Sequence, residues 1–203
     1  MEELTSMKLD VLREIGNIGA GNATTALSVM LNSNLRMESP LVKILAFDDI
    51  PEVVGGADAI VAAVLTRFSG EVGGMMLFIL ELAEAKNLAG TMLCKTYPED
   101  FESFDHMDKS ALKEVGNILM SSYINSIGTL TNLQFRTEPP AICVDMAGSV
   151  LSLPISQLGQ VGDKALVIDS KFLDNERPID GFLMLVTDET SYEKIFDSLG
   201  IGC

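Results

Sequence analysis

The sequence predicts an α+β fold: a pseudo-two-fold, internally duplicated domain in which long helices pack on a largely antiparallel β-sheet. Three observations predict it. Residues 10–40 align without gaps on residues 110–140, with nine of the 31 positions identical. Both copies carry helical spacing of apolar residues, over ~7–31 and ~108–130. After each come short apolar runs of β character, then a second, shorter helical segment. A repeat of this kind reads as a homodimer fused into one chain. The expected organisation is therefore one domain over 1–203, built from repeats at about 1–95 and about 105–203.

The identities are Leu12/Leu112, Glu14/Glu114, Gly16/Gly116, Asn17/Asn117, Ile18/Ile118, Asn32/Asn132, Arg36/Arg136, Glu38/Glu138 and Pro40/Pro140. Asn32 and Asn132 are expected helix stops. Strands are expected at Leu41–Phe47, Ala59–Phe68 and Met75–Glu81, then at Ala141–Asp145, Lys164–Ile168 and Gly181–Thr187. Residues 73–93 resemble 180–200, each an apolar strand followed by a helix, with helices near 82–93 and 190–199. The acidic, aromatic segment 95–108 is the expected join.

The long helices carry the chemistry. At about 100° per residue, Asp10, Glu14 and Asn17 share one side of the first helix, continued by Gly21 and Thr24. Leu12, Ile15, Gly19, Ala26 and Met30 lie opposite, toward the sheet. The second helix repeats the arrangement, with Ser110, Glu114, Asn117 and Ser121 outward and Leu112, Val115, Leu119 and Leu130 inward. A solvated face is the alternative reading of such a stripe. Selective retention argues for function: Gly19/Leu119 and Ala20/Met120 have drifted while Glu and Asn have not. Asn also brings little helix propensity. Each mid-helix glycine costs about 1 kcal/mol relative to alanine, so Gly16, Gly19, Gly21 and Gly116 predict close approach by a neighbouring element or a docked protein.

Composition excludes several alternatives. The 203 residues hold 14 Lys+Arg against 29 Asp+Glu, a net charge of -15, which disfavours nucleic acid and anionic membrane as partners. The apolar runs are far shorter than the ~18 residues of a membrane helix, and the acidic start lacks a signal-peptide pattern, so a cytoplasmic protein without membrane insertion is expected. Three cysteines (Cys94, Cys143, Cys203) without a CxxC, and a single histidine (His106), give no basis for a metal site or a triad. Cys143 reads as core, Cys203 as tail and His106 as surface. The glycine spacing in GNIGAGNA does not fit a dinucleotide loop.

The pattern Asp/Ser-x3-Glu-x2-Asn, with Pro after 22 further residues, occurs twice: Asp10, Glu14, Asn17, Pro40 and Ser110, Glu114, Asn117, Pro140. It resembles the signature of the CheC/CheX/FliY family of chemotaxis phosphatases, and the similarity spans essentially the whole chain. Two motifs in about 200 residues resemble the CheC branch. CheX-like members carry one motif and dimerise, and FliY-like members add a rotor-binding C-terminal domain.

The resemblance implies hydrolysis of the aspartyl phosphate on the response regulator CheY. Asn17 and Asn117 would orient the attacking water, as a glutamine does in GTPases. Glu14 and Glu114 would anchor a lysine of the regulator, with Asp10 and Ser110 at the edge of the docking face. No cofactor of the chain's own is implied; Mg²⁺ would be bound by the regulator. The deamidase CheD is a second implied partner. Asp145, within residues 144–150, is a candidate contact for it or else a strand-edge carboxylate. The alternative function is a CheD-binding adaptor with weak phosphatase activity, and a structural rotor role is the third. The internal duplication predicts a monomer before partner binding.

Overall fold

The structure, a computed structural model, describes residues 6–31, 35–38, 40–98, 101, 103–158, 164–174 and 177–201. Two 26-residue helices, α1 (Ser6–Leu31) and α4 (His106–Thr131), open the two halves. The first continues through β1 (Leu35–Met37), β2 (Leu41–Ala46), a 3-10 turn and the short α2 (Ile50–Val53), then β3 (Ile60–Gly70), β4 (Gly74–Glu81) and α3 (Leu82–Leu93). The second continues through β5 (Phe135–Thr137), β6 (Ala141–Met146), α5 (Ala147–Leu158), β7 (Lys164–Asp174), β8 (Arg177–Thr187) and α6 (Glu189–Ser198). Element by element, the second half repeats the first.

One eight-stranded sheet runs through both halves in the order β1-β7-β8-β4-β3-β5, with β2 also beside β7 and β6 also beside β3. All described ladders are antiparallel. The two halves exchange strands: β2 of the first pairs with β7 of the second, and β6 of the second with β3 of the first. They join along β4 and β8, where Leu77 opposes Met184. Those residues are equivalent when 73–93 is laid on 180–200, so the pseudo-two-fold axis passes between them. Because every half contributes an edge strand to the other, neither has a complete sheet of its own.

The sheet is covered on both faces. Core residues of α1, α3, α4 and α6 meet Ala62, Val64, Phe68, Met76 and Phe78 on one side. Ile50 and Val54 near α2, with Ala147, Val150 and Leu151 of α5, meet Val61, Ala63, Met75, Leu77 and Ile79 on the other. Seven consecutive residues of β4, Gly74 to Leu80, are therefore buried without alternation, as expected of a central strand enclosed by helices. The packing removes water from both sides of the sheet and leaves the outer faces of α1 and α4 to carry polar groups.

Several expectations shift. Lys164–Ile168 and Gly181–Thr187 are parts of 11-residue strands, β7 and β8. The apolar residues Ala147, Val150 and Leu151 follow helical spacing and form α5, although Pro154 lies inside that helix. Ala26 and Leu130, expected to face the sheet, are exposed. Both lie near the C-terminal ends of their helices, where Leu27 on α1 and Ile127 and Thr131 on α4 are the buried positions instead, so the covered side is turned away from the expected line. Asn132 does end α4, in the left-handed conformation at φ 57°; Asn32 and Cys203 lie outside the described residues.

Candidate functional site

The helix glycines fix how α1 and α4 sit. A Cβ on Gly19 would lie 2.7 Å from Tyr123 Cδ1, so α1 and α4 touch there, helix against helix. A Cβ on Gly116 would lie 2.7 Å from Val64 Cβ of β3. One on Gly16 would lie 3.2 Å from Pro40 Cγ and 3.3 Å from Val42 Cγ2 of β2. Three of the four singled-out glycines are thus explained by contacts within the chain. Gly21 is exposed with no neighbour within 4 Å.

With their inner sides fixed, the helices turn the predicted stripes outward. Asp10, Glu14 and Asn17 are all exposed along α1. On α4, Glu114 is exposed while Ser110 and Asn117 are half-buried. Glutamate and asparagine three residues apart stand about 4.5 Å apart along the axis and about 60° apart around it. Each helix therefore offers a carboxylate and a carboxamide to one partner surface. Among the described residues no hydrogen bond or ion pair engages the side chains of Glu14, Asn17, Glu114 or Asn117. All four remain available to a bound molecule.

The flanking charges differ. Arg13 Nη1 donates to Asp10 Oδ1 at 3.2 Å, an exposed pair one turn long. In the second copy Ser110 replaces the aspartate, and Lys113 has no ion pair among the described residues.

Sequence reasoning misses a polar clamp at the start of α4. Asp105 Oδ1 accepts from the Asp108 N–H at 2.9 Å, and Asp108 Oδ2 accepts from the Asp105 N–H at 3.0 Å, a reciprocal capping box. Tyr97 Oη donates to Asp108 Oδ1 at 2.7 Å, and Lys95 pairs with both Asp105 and Asp108. Burial alone would raise the Asp108 carboxyl, but the bonds from Lys95, Tyr97 and the Asp105 N–H outweigh it and hold it below the usual carboxylate value. Phe101 and Phe104 pack edge-on against Tyr97. The Asp-x-x-Asp spacing at 105–108 is the signal that could have found it.

The remaining candidates are peripheral. Asp145 is exposed on the edge strand β6, and its Oδ1 accepts from the Met146 N–H at 2.7 Å. Cys143 is half-buried beside Ala63, and burial followed by the nearby Asp145 carboxylate pushes its thiol up, away from thiolate chemistry. His106 is exposed at the first residue of α4. Among the described residues no group of three or more His, Cys, Asp or Glu side chains could hold a metal ion, and no helix is long and apolar enough to cross a membrane.

A duplicated helix motif on a strand-exchanged sheet defines a family. The sequence model of the CheC-like family matches residues 7–44 and 107–144, the segments that begin each half. The chain belongs to the CheC-like family. It is 37% identical over 198 residues, covering 95% of this chain and 94% of the relative, to the CheY-P phosphatase CheC of Bacillus subtilis. It is 25% identical over 142 residues, 70% of this chain and 37% of the relative, to the flagellar motor switch phosphatase FliY of the same organism. The fold is shared with the crystal structure of Thermotoga maritima FliY, at a TM-score of 0.74 and 20% identity, covering 97% of this chain and 98% of that one. It is shared more distantly with the CheX-CheY-BeF3-Mg²⁺ complex from Borrelia burgdorferi, at a TM-score of 0.52 and 17% identity over 84% and 96%.

Proposed function

We propose that this chain is a chemotaxis phosphatase that hydrolyses the aspartyl phosphate of phosphorylated CheY. The relative of 37% identity, which aligns along nearly the whole chain, is a CheY-P phosphatase. The observation that supports the mechanism is the availability of both carboxamides: Asn17 and Asn117 project from the two long helices and are tied to no side chain among the described residues.

The regulator supplies the acyl phosphate and the Mg²⁺ bound in its acidic pocket. An asparagine inserted there accepts a hydrogen bond from water through its C=O and turns its NH₂ toward the phosphoryl oxygens. That holds the water in line with the P–O bond to be broken. A carboxylate at the same place would meet the phosphoryl group with like charge. Glu14 or Glu114, one turn earlier, pairs with a lysine at the rim of the regulator's site and fixes the helix against it. Water attacks phosphorus, the aspartyl carboxylate leaves, and inorganic phosphate is released. No covalent nucleophile is asked of this chain.

Phosphate release from phosphorylated CheY tests the reading. Asn17→Ala and Asn117→Ala should each retain partial activity, and the double variant should lose nearly all of it. A double variant as active as the parent rejects the mechanism.

A further inference from the structure

Two exposed methionines continue the docking stripes. Met7 and Met107 are equivalent under the 100-residue repeat, each in the first turn of its long helix, and each is 61% exposed. Each precedes the motif glutamate by seven residues, two helical turns, so at about 100° per residue it lies about 20° around the helix from that glutamate. The adjoining positions of the two copies have diverged, with Lys8 against Asp108, Leu9 against Lys109 and Asp10 against Ser110. An exposed methionine contributes little packing to either helix, so intramolecular stability gives no reason for its presence at both places. Val29, by contrast, is 79% exposed and its counterpart is the polar Thr129.

We propose that Met7 and Met107 are the apolar anchors of the two docking faces, each burying its thioether side chain against the phosphorylated response regulator while the glutamate and asparagine engage the phosphorylated site. This rests on the phosphatase reading above. The reach is adequate. Met7 lies about 15 Å along the helix from Asn17, and about 800 Å² per partner, a typical interface, spans a disc of about 16 Å radius. An unbranched, polarizable side chain adapts to a rim whose shape it does not dictate. The net charge of -15 gives no general attraction to an acidic partner, which leaves local apolar burial to supply affinity.

The test uses the full chain and CheY held in its activated form by beryllofluoride and Mg²⁺, with affinity measured by titration and turnover by phosphate release. Met7→Ala/Met107→Ala should weaken binding and raise KM about tenfold while kcat stays within twofold, and Met→Leu at both positions should restore most of the affinity. Unchanged affinity and KM in the alanine double variant, with the parent binding normally, overturns the anchor proposal and leaves the catalytic reading intact. Full turnover by Asn17→Ala/Asn117→Ala, with the methionine variants still weakened in binding, rejects the asparagine mechanism and upholds the anchors. A fall in kcat rather than affinity in the methionine variants also overturns the proposal, since an anchor acts on binding.

Discussion

The two halves match at the Glu/Asn pairs they turn outward and differ where their long helices touch each other. At the crossing of α1 and α4, one helix brings Gly19, Ala20 and Ala23 and the other Leu119, Met120 and Tyr123. These are equivalent positions, small on one side and large on the other. Two identical helices meeting at a pseudo-two-fold axis would need the same residue to pack against its own copy. Once the copies share a chain, that constraint is lifted and volume can be divided unequally. The helices are also seated differently. Gly116 rests on Val64 in the interior strand β3, whereas Gly16 rests on Pro40 and Val42 of the edge strand β2. The deeper seat coincides with the half-buried Asn117, the shallower one with the exposed Asn17. Divergence has acted on the seam and on the surroundings of the sites, and has left the Glu/Asn pair unchanged in both.

The two long helices also differ in how their first turns are held: Lys95, Tyr97, Asp105 and Asp108 clamp the start of α4, whereas α1 carries Lys8 in place of Asp108, its ammonium 5.1 Å from the centroid of the Phe196 ring. Asp108→Ala removes a buried acceptor and leaves two donors and the capping box broken, at roughly 2–3 kcal/mol. Thermal unfolding should show the loss. The folded-state carboxyl lies below its ordinary value of 3.8, so its contribution is complete above that value and disappears as pH falls through it and then through the lower folded value. Asp108→Asn should therefore flatten the acid side of the stability profile near and below pH 4. An acid limb identical to the parent's would show that the clamp does not hold α4.

Gly19→Ala probes the seam itself. Its new methyl would lie 2.7 Å from the Tyr123 ring, and overpacking of about 1–3 kcal/mol exceeds the gain of about 1 kcal/mol from helix propensity. A net loss of about 1 kcal/mol is expected by denaturant unfolding. Trimming the ring partner in a Gly19→Ala/Tyr123→Leu double variant should recover more than additivity allows. Additive effects would mean that the helices do not meet there.

The duplicated architecture, both long helices and their motif stripes are legible in the sequence because each rests on periodicity and on a repeat that can be read twice. The glycines are legible only as a question. Gly16, Gly19 and Gly116 announce close approach, but which element approaches is set by the tertiary fold, β2 of its own half for Gly16, the other long helix for Gly19 and the other half's β3 for Gly116, and no local pattern records it. The clamp is hidden for a related reason. Asp105 and Asp108 form a cap within four residues, yet Lys95 and Tyr97 reach it only because α3 folds back beside α4. Helix α5 is obscured by its internal Pro154, whose usual meaning as a helix breaker outweighs the apolar spacing at Ala147, Val150 and Leu151. A fixed angle per residue places Ala26 and Leu130 inward, but near the helix ends the buried positions are Leu27, Ile127 and Thr131, a turn of the covered side that no ideal angle registers.

Gly21 tests the same contrast from the outside. It is exposed, and a methyl group added there would meet nothing within 4 Å, so Gly21→Ala should stabilise the fold by up to about 1 kcal/mol. It sits between Glu14 and Asn17 around the helix, where added bulk would stand against a docked regulator. Unfolding should therefore shift upward while phosphate release from the Asn117→Ala background falls. A stabilised variant with unaltered turnover would remove docking clearance as the reason for this glycine.

A subtler difference separates the two sites from each other. Lys113 has no ion pair among the described residues, whereas Arg13 is held by Asp10, and the clamp fixes α4 from its first turn. A preorganised helix loses less freedom on docking, and an unpaired cation beside the amide favours the phosphoryl charge. The second site should therefore carry the larger share, so that Asn117→Ala costs more activity than Asn17→Ala. Exchanging the flanking residues tests the electrostatic part alone. Asp10→Ser, measured with Asn117→Ala, should release Arg13 and raise the first site's turnover about two- to threefold, while Ser110→Asp, measured with Asn17→Ala, should tie Lys113 and lower the second by a similar factor. An exposed pair such as Arg13–Asp10 is worth under about 1 kcal/mol, which sets that scale, and both effects should fade as salt is raised. Exchange without effect at low salt would place the difference between the sites in helix seating rather than in charge.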